Sequence, residues 1–320
     1  MKAAGVCILL QVLCAAGYSE NLRFKQFGTP IPARADLDVR WNGPSNAFPA
    51  KLWIYHLLPA KFSAETIGTL TELGSFTDKD RTDSGATEMR FRSADKARSL
   101  YISFPLGVID YEGVPKYNPT NLVEDIPSKE TAVDLTRQLL PKLGVRLSDI
   151  DKEENSPEPA FHVGDSAITF FVNGTFVSNI VERRVGFRRA VDGASFLSAG
   201  SGGDGDVKFG DHGKIVQIYI SWRGLDRDKS CPTVTLDKIV ESIRKGQAVQ
   251  GLLPSDAPGI DWPKVKSITI KKAWPCYYAG NPLAPSDWLY PFAALSTTVD
   301  TGRRNVDVEI DCPIIEEAGE

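Results

Sequence analysis

The sequence predicts an α+β fold in which short helices lie across antiparallel β-meander sheets. Three observations carry that expectation. Apolar residues recur at helical spacing in three separate stretches. Each stretch is followed by runs that alternate apolar and polar residues, the period of a half-buried strand. Segments rich in glycine and proline divide the chain, so the helix-then-strands order recurs as two to three consecutive units. With 320 residues, 42% of them hydrophobic, the chain can bury more than one core.

The opening stretch, MKAAGVCILLQVLCAAGYSE, sets Lys2 before an apolar run from Val6 to Leu13 and small residues after it. That order is the one a secretory signal uses, with cleavage after Ala16 or Ser19. The run is too short to span a bilayer, and no later apolar stretch reaches the ~20 residues a spanning helix needs. The expectation is a signal peptide over residues 1–19 and an exported chain, periplasmic or extracellular, without a transmembrane span after cleavage.

The first unit, residues 20–115, holds a helix that Ser63 precedes, with Ile67, Leu70 and Leu73 on one face and Gly74 after it. Strands are expected at 87–92, 99–105 and 107–113. In the second unit, 116–230, Ser128 caps a helix carrying Ala132, Leu135 and Leu139, which Pro141 ends or kinks. AITFFV (167–172) and residues 175–189 then form a hairpin around Asn173-Gly174, because both residues tolerate the positive φ of a type I′ turn. Asn173-Gly174-Thr175 is also a glycosylation acceptor, which the turn explains equally well.

The third unit, 231–320, opens with a helix from Thr235. Leu236, Ile239, Val240 and Ile243 share its face, and Gly246 stands where a C-terminal cap belongs. Strands follow at 265–280, 288–299 and 305–315. In the last, Val306, Val308, Ile310 and Cys312 point one way; Asp307, Glu309 and Asp311 line the other, read as a solvated face ahead of a cation-chelating one. Linkers are expected at about 114–127 and 246–263.

GSGGDG, residues 200–205, has the glycine spacing of a dinucleotide-binding loop. Such a loop opens a helix, whose N-terminal amides hold the pyrophosphate. Here Val216, Ile218, Ile220 and Trp222 alternate with Gln217, Tyr219, Ser221 and Arg223, and the turn Asp211-His212-Gly213 precedes them. A strand follows, so the stretch reads as a mobile connector within a meander. An Asn-Gly turn in place of Gly200–Asp206 is expected to leave folding intact, and no cofactor is expected.

Catalytic and metal constellations are not legible. His56, His162 and His212 have no partner at ligand spacing, and no G-x-S-x-G occurs. Ser195, Ser198 and Ser201 read as loop residues, and Asp204, Asp206 and Asp211 lack the calcium-loop pattern. Cys231, Cys276 and Cys312 remain after the signal, as one disulfide plus a thiol or as three buried thiols. The balance of 37 basic and 41 acidic residues lacks the basic excess of nucleic-acid binders.

A ligand or partner surface is expected from two residue sets. Arg183-Arg184 and Arg188-Arg189 lie on one strand, with Arg223 expected on the strand beside it, as an anionic-ligand patch or a salt-bridged surface. Trp274, Tyr277, Tyr278, Trp288, Tyr290 and Phe292 crowd the C-terminal unit as core, some of them lining a groove. The candidate surface residues are Arg183, Arg188, Arg223, Trp274, Tyr278 and Trp288.

RRVGFRRAVDG, then GDVKFGDHGKIVQIYISWRGL, the helix TLDKIVESIRKG, and ITIKKAWPCYYAG with LYPFAAL follow one another over residues 125–315. This layout resembles exported bacterial proteins of the PepSY-like and YycH/YycI-like group. The resemblance implies a non-catalytic module that binds proteins, and it transfers no active-site residue. The functional expectation is an exported interaction or regulatory module whose partner is another exported or envelope protein, or a peptide. The alternatives are a secreted hydrolase whose site assembles only in the fold, and a protease-inhibitor or prodomain-like module.

Overall fold

The computed structural model describes residues 28–83, 85–113, 123–153, 156–172, 175–196, 203–251, 259–281 and 284–315. The segment read as a signal peptide lies outside them, as do Asn173-Gly174, Ser198 and Ser201. The fold is α+β with β-structure predominating and the strands largely antiparallel. Among the described residues, no helix is long and apolar enough to cross a membrane.

Chain order begins with β1 (Thr29–Pro30), β2 (Asp38–Trp41) and β3 (Lys51–Leu58). Helix α1 (Ala64–Gly74) leads into β4 (Glu88–Arg92), β5 (Ser99–Ser103) and β6 (Val108–Glu112). Helix α2 (Lys129–Leu139) precedes β7 (Phe161–Val172), β8 (Thr175–Arg188), β9 (Ala190–Val191) and β10 (Ala194–Phe196). Next come β11 (Gly203–Phe209), β12 (Ile215–Trp222) and β13 (Gly224–Pro232). Helix α3 (Leu236–Arg244), β14 (Val249–Gln250), β15 (Ser267–Asn281), β16 (Ala284–Asp300) and β17 (Asn305–Pro313) complete the described chain.

Two compact units result, and neither is a continuous stretch of sequence. A central unit comprises residues 54–229 and 277–290; a terminal unit comprises residues up to 53, 230–276 and from 291.

In the central unit seven strands run in the order β4-β5-β6-β12-β11-β8-β7, each pair antiparallel. Both α1 and α2 cover this one sheet, since Leu70, Ala132 and Leu140 share a buried cluster with Ile102, Ile109, Val185, Val207 and Ile218. The cap predicted at Ser128 forms, its Oγ accepting from the Thr131 amide at 3.1 Å, and Ser63 Oγ likewise accepts from the Thr66 amide at 3.0 Å. The buried face of α2 is Ala132 and Thr136, whereas Leu135 is exposed. Thr136 tolerates burial because its hydroxyl donates to the Ala132 carbonyl at 2.8 Å.

Gly200 to Gly202 of the expected connector lie outside the described residues, and the rest of the stretch departs from it. Gly203 to Asp206 are strand residues of β11, all paired with β12 and, from Asp204 on, with β8 as well. Their glycines are there for space: a Cβ on Gly203 would stand 2.1 Å from the Phe196 ring, and one on Gly205 2.5 Å from the Phe187 ring. A strand does follow, as predicted. Val216, Ile218, Ile220 and Trp222 are buried along β12, and Ser221 with them.

In the terminal unit the strand order is β1-β14-β17-β16-β15, with β2 added parallel to β15 from Asp38↔Ser267 to Trp41↔Ile270. Ile239 and Ile243 of α3 are buried with Ile268, Ile270, Leu295 and Ile310. Gly246 adopts φ 69°, and a Cβ there would meet the Ala33 amide nitrogen at 2.7 Å, so a residue without a side chain ends this helix. The stretch 246–263, expected as a linker, supplies β14 and the buried Trp262, whose indole donates to Gln250 Oε1 at 3.0 Å. Cys231, Cys276 and Cys312 are three buried thiols.

Candidate functional site

Each arginine of the predicted patch has a separate place. Arg183 is buried; its Nε donates to Asp165 Oδ1 at 2.7 Å, its Nη2 to Oδ2 at 3.2 Å, and its Nη1 to the Pro127 carbonyl. This fork holds the Asp165 carboxyl below the usual carboxylate range. Arg188 is exposed at the end of β8. Arg223 is buried and donates to the Leu57 carbonyl at 2.8 Å and to Asp287 at 3.3 Å. It follows β12, and β11 lies between β12 and β8, so the strand expected beside β8 is not its neighbour. Of the aromatics, Trp274 is half-buried in the terminal unit, and Tyr278 and Trp288 are half-buried in the central one, the latter tilted against His56 at 4.9 Å.

Arg189, outside the candidate set, lies against two aromatic rings. Its guanidinium lies 5.0 Å from the Trp222 ring centre and 5.6 Å from that of Phe196, and Nη1 donates to the Arg223 carbonyl at 2.6 Å. Burial lowers its pKa to about 10. Beside it the Tyr55 hydroxyl donates to Asp192, which also pairs with Arg227 at 2.7 Å. Burial, then the Asp192 bond, pushes the Tyr55 phenol up to about 12. Asp192 and Gly193 both have positive φ and form the two-residue turn between β9 and β10. Ser195, expected in a loop, is in β10 and donates to Asp151.

The expected acidic face of β17 is divided. Asp307 is exposed and accepts from Lys271 at 2.9 Å, but Asp311 Oδ1 is buried without a hydrogen-bond donor. Burial first, and the Glu309 carboxylate second, raise the Asp311 pKa to about 7.

Among the described residues, large apolar side chains are exposed together on the outer part of the β7–β8 hairpin. Strand β11 pairs with β8 only over Arg183–Arg188. Beyond that, β7 and β8 continue as a two-stranded ribbon to the pair Val172↔Thr175, a reach of roughly 20 Å. Phe171 and Phe176 are cross-strand partners, 66% and 74% exposed, with ring centres 5.0 Å apart. Val177 and Ile180 are exposed as well. Thr169 donates to Ser178 across the ribbon at 3.3 Å. From Ser166 to Val181 no residue carries a formal charge, whereas charged residues make up 24% of the whole chain. That gap is the sequence signal for this surface. The alternation that marks a half-buried strand also fails here, since Phe170-Phe171 and Phe176-Val177 are apolar in both phases.

No family model matches the chain, and no curated protein matches it. Among solved structures it is similar to an uncharacterized protein from Eubacterium rectale ATCC 33656, at 8% sequence identity and a TM-score of 0.46. The alignment covers 86% of this chain and 87% of that one.

Proposed function

We propose that the chain is an exported, non-catalytic interaction module, of the kind the PepSY-like and YycH/YycI-like resemblance implies, and that the β7–β8 ribbon is its binding surface. One observation carries this reading: Phe171 and Phe176 stand paired and solvent-exposed on a projecting ribbon free of charge. Contiguous exposed apolar patches mark interaction sites in soluble proteins, and a two-stranded ribbon alone is only marginally stable in water. The buried ionic groups of the central unit support it, because Arg183, Arg189 and Arg223 are engaged by internal partners.

Two measurements test the reading. Peptides selected from a displayed library on the immobilised chain should lose binding to a Phe171→Ser/Phe176→Ser variant that melts like the parent. Screening the chain against peptidase, esterase and glycosidase substrates should give no turnover. Robust turnover abolished by one substitution in a shared cleft would replace this reading with a secreted hydrolase.

A further inference from the structure

We infer that the β1–β14 edge of the terminal sheet is a pH-gated strap, held against β17 while Asp311 is neutral and released from it when Asp311 ionises. The device belongs to the terminal unit and is independent of what the ribbon binds.

Strand β17 lies between β14 and β16, and Asp311 stands opposite Val249 on one side and Ala294 on the other. Directly opposed residues project to the same face of a sheet, so two apolar side chains, 1% and 0% exposed, flank the Asp311 carboxyl. Its Oδ1 is buried without a hydrogen-bond donor. A neutral carboxyl tolerates that setting far better than a carboxylate, which needs water or donors.

Only one flank can yield. Strand β16 is paired with β17 all the way from Phe292↔Pro313 to Asp300↔Asn305. Strand β14 is paired with it at Val249↔Asp311 and Gln250↔Ile310, and the Gly251 amide then donates to the Glu309 carbonyl at 2.9 Å. Strand β1 is carried in turn by β14. The fixed end of the strap is Ala248 with Ile31, both in the buried cluster, the Ile31 amide donating to the Ala248 carbonyl at 3.1 Å. So short an edge opens locally without unfolding the sheet behind it. The bond from the Trp262 indole to Gln250 keeps it closed while Asp311 is neutral.

Burial and the Glu309 carboxylate, two residues along the same face, set the Asp311 pKa at about 7. From β15, Cys276 is a thiol that burial, then Asp311 and Glu309, hold well above its ordinary value. Burial and then Asp311 do the same to Cys312, so both thiols stay neutral across this range. Strands β14 and β16 bring Val249, Gln250, Ala294 and Ser296, none of which titrates. Once released, the Asp311 carboxyl is hydrated and titrates near the ordinary value of about 4. Between about 4 and 7 the open form is ionised and the closed form is not, so opening rises about tenfold per pH unit and levels off above that range.

Amide hydrogen exchange, expressed as protection relative to an unstructured chain at the same pH, tests the inference on the parent and on Asp311→Asn. Between pH 5 and 7.5 the Gly251 amide of the parent is expected to lose on the order of tenfold protection or more. The Leu295 amide in β16 should keep its protection, and Gly251 in the Asp311→Asn chain should keep its own. A parent Gly251 that loses nothing, or an equal loss in Asp311→Asn, overturns the inference. So does a Leu295 amide that falls by the same factor, since that reports unfolding of the whole unit. The parent alone gives a further check: Gly251 protection that goes on falling tenfold per unit above pH 8 also overturns it.

Discussion

The ring of Phe187 occupies the space that a side chain at Gly205 would need, 2.5 Å from the position of its Cβ. The Tyr219 carbonyl closes the same position at 2.8 Å, so the backbone on one side and a buried ring on the other leave little room to shift. Gly205→Ala is expected to destabilise the chain by about 1–3 kcal/mol through overpacking. Urea unfolding checks it, as a lower midpoint with an unchanged slope. Exchange of Gly200–Asp206 for an Asn-Gly turn should be worse still, because it removes four residues of β11. A parent-like midpoint in either variant would show that this stretch is the connector its composition suggests.

Asp311 makes stability fall with rising pH. Its folded pKa, about 7, lies above that of an unfolded carboxyl, so the folded state binds more protons in between. The contribution is complete below about 4 and is lost as the pH rises through about 7, with an upper bound of about 4 kcal/mol. Asp311→Asn should flatten this slope and be more stable than the parent at pH 8. Urea midpoints between pH 5 and 8 decide it, and parallel profiles for the two chains would refute the assignment.

Arg183→Met removes the fork that Asp165 and the Pro127 carbonyl accept from. Loss of charge-assisted bonds to groups left in place is expected to cost about 1.5–3 kcal/mol. The Asp165 carboxyl is held low by this arginine, so its share of stability is present above the unfolded pKa and fades as the pH falls through the folded one. Its exposure limits that share to less than about 1 kcal/mol. Carboxyl titration by NMR should show Asp165 moving up in the variant.

Ser128→Ala should lower stability by about 1 kcal/mol, because it frees the Thr131 amide at the start of α2. Ser128→Asp, which caps equally well, should restore it. Thermal melts of the three chains give the comparison.

Local chemistry made the helices legible. Ser63, Ser128 and Thr235 each precede an apolar face and each caps the helix predicted from it. Strand alternation located β12 and β17 for the same reason, one face of each being buried. What failed was non-local. Gly203 and Gly205 look like a flexible loop unless the rings of Phe196 and Phe187, distant in the fold's logic from a glycine motif, are known to fill the space. The Asp192-Gly193 turn joins strands of only two and three residues, too short for period to show. Arg183, Arg188 and Arg223 suggested a common surface because spacing reports proximity along the chain, whereas the intervention of β11 is a matter of sheet order. The ribbon was readable as a hairpin and unreadable as a surface, since period-two reasoning looks for a buried face and this element has none to offer.

The first described strand, β1, is paired with β14 through Thr29↔Gln250 and Pro30↔Val249. During synthesis the terminal unit therefore stays open until residues beyond 250 have left the ribosome, and it closes only when β17 arrives from past residue 305. The seven-stranded sheet, drawn from residues 88–222, has all its partners much earlier. Long sequence separation slows closure and lengthens the interval in which apolar strands are bare. Translation thus sets an order of assembly, central sheet before terminal sheet, and a ribosome stalled near residue 290 would carry a chain whose seven-stranded sheet has all its strands while the terminal sheet still waits for its last one.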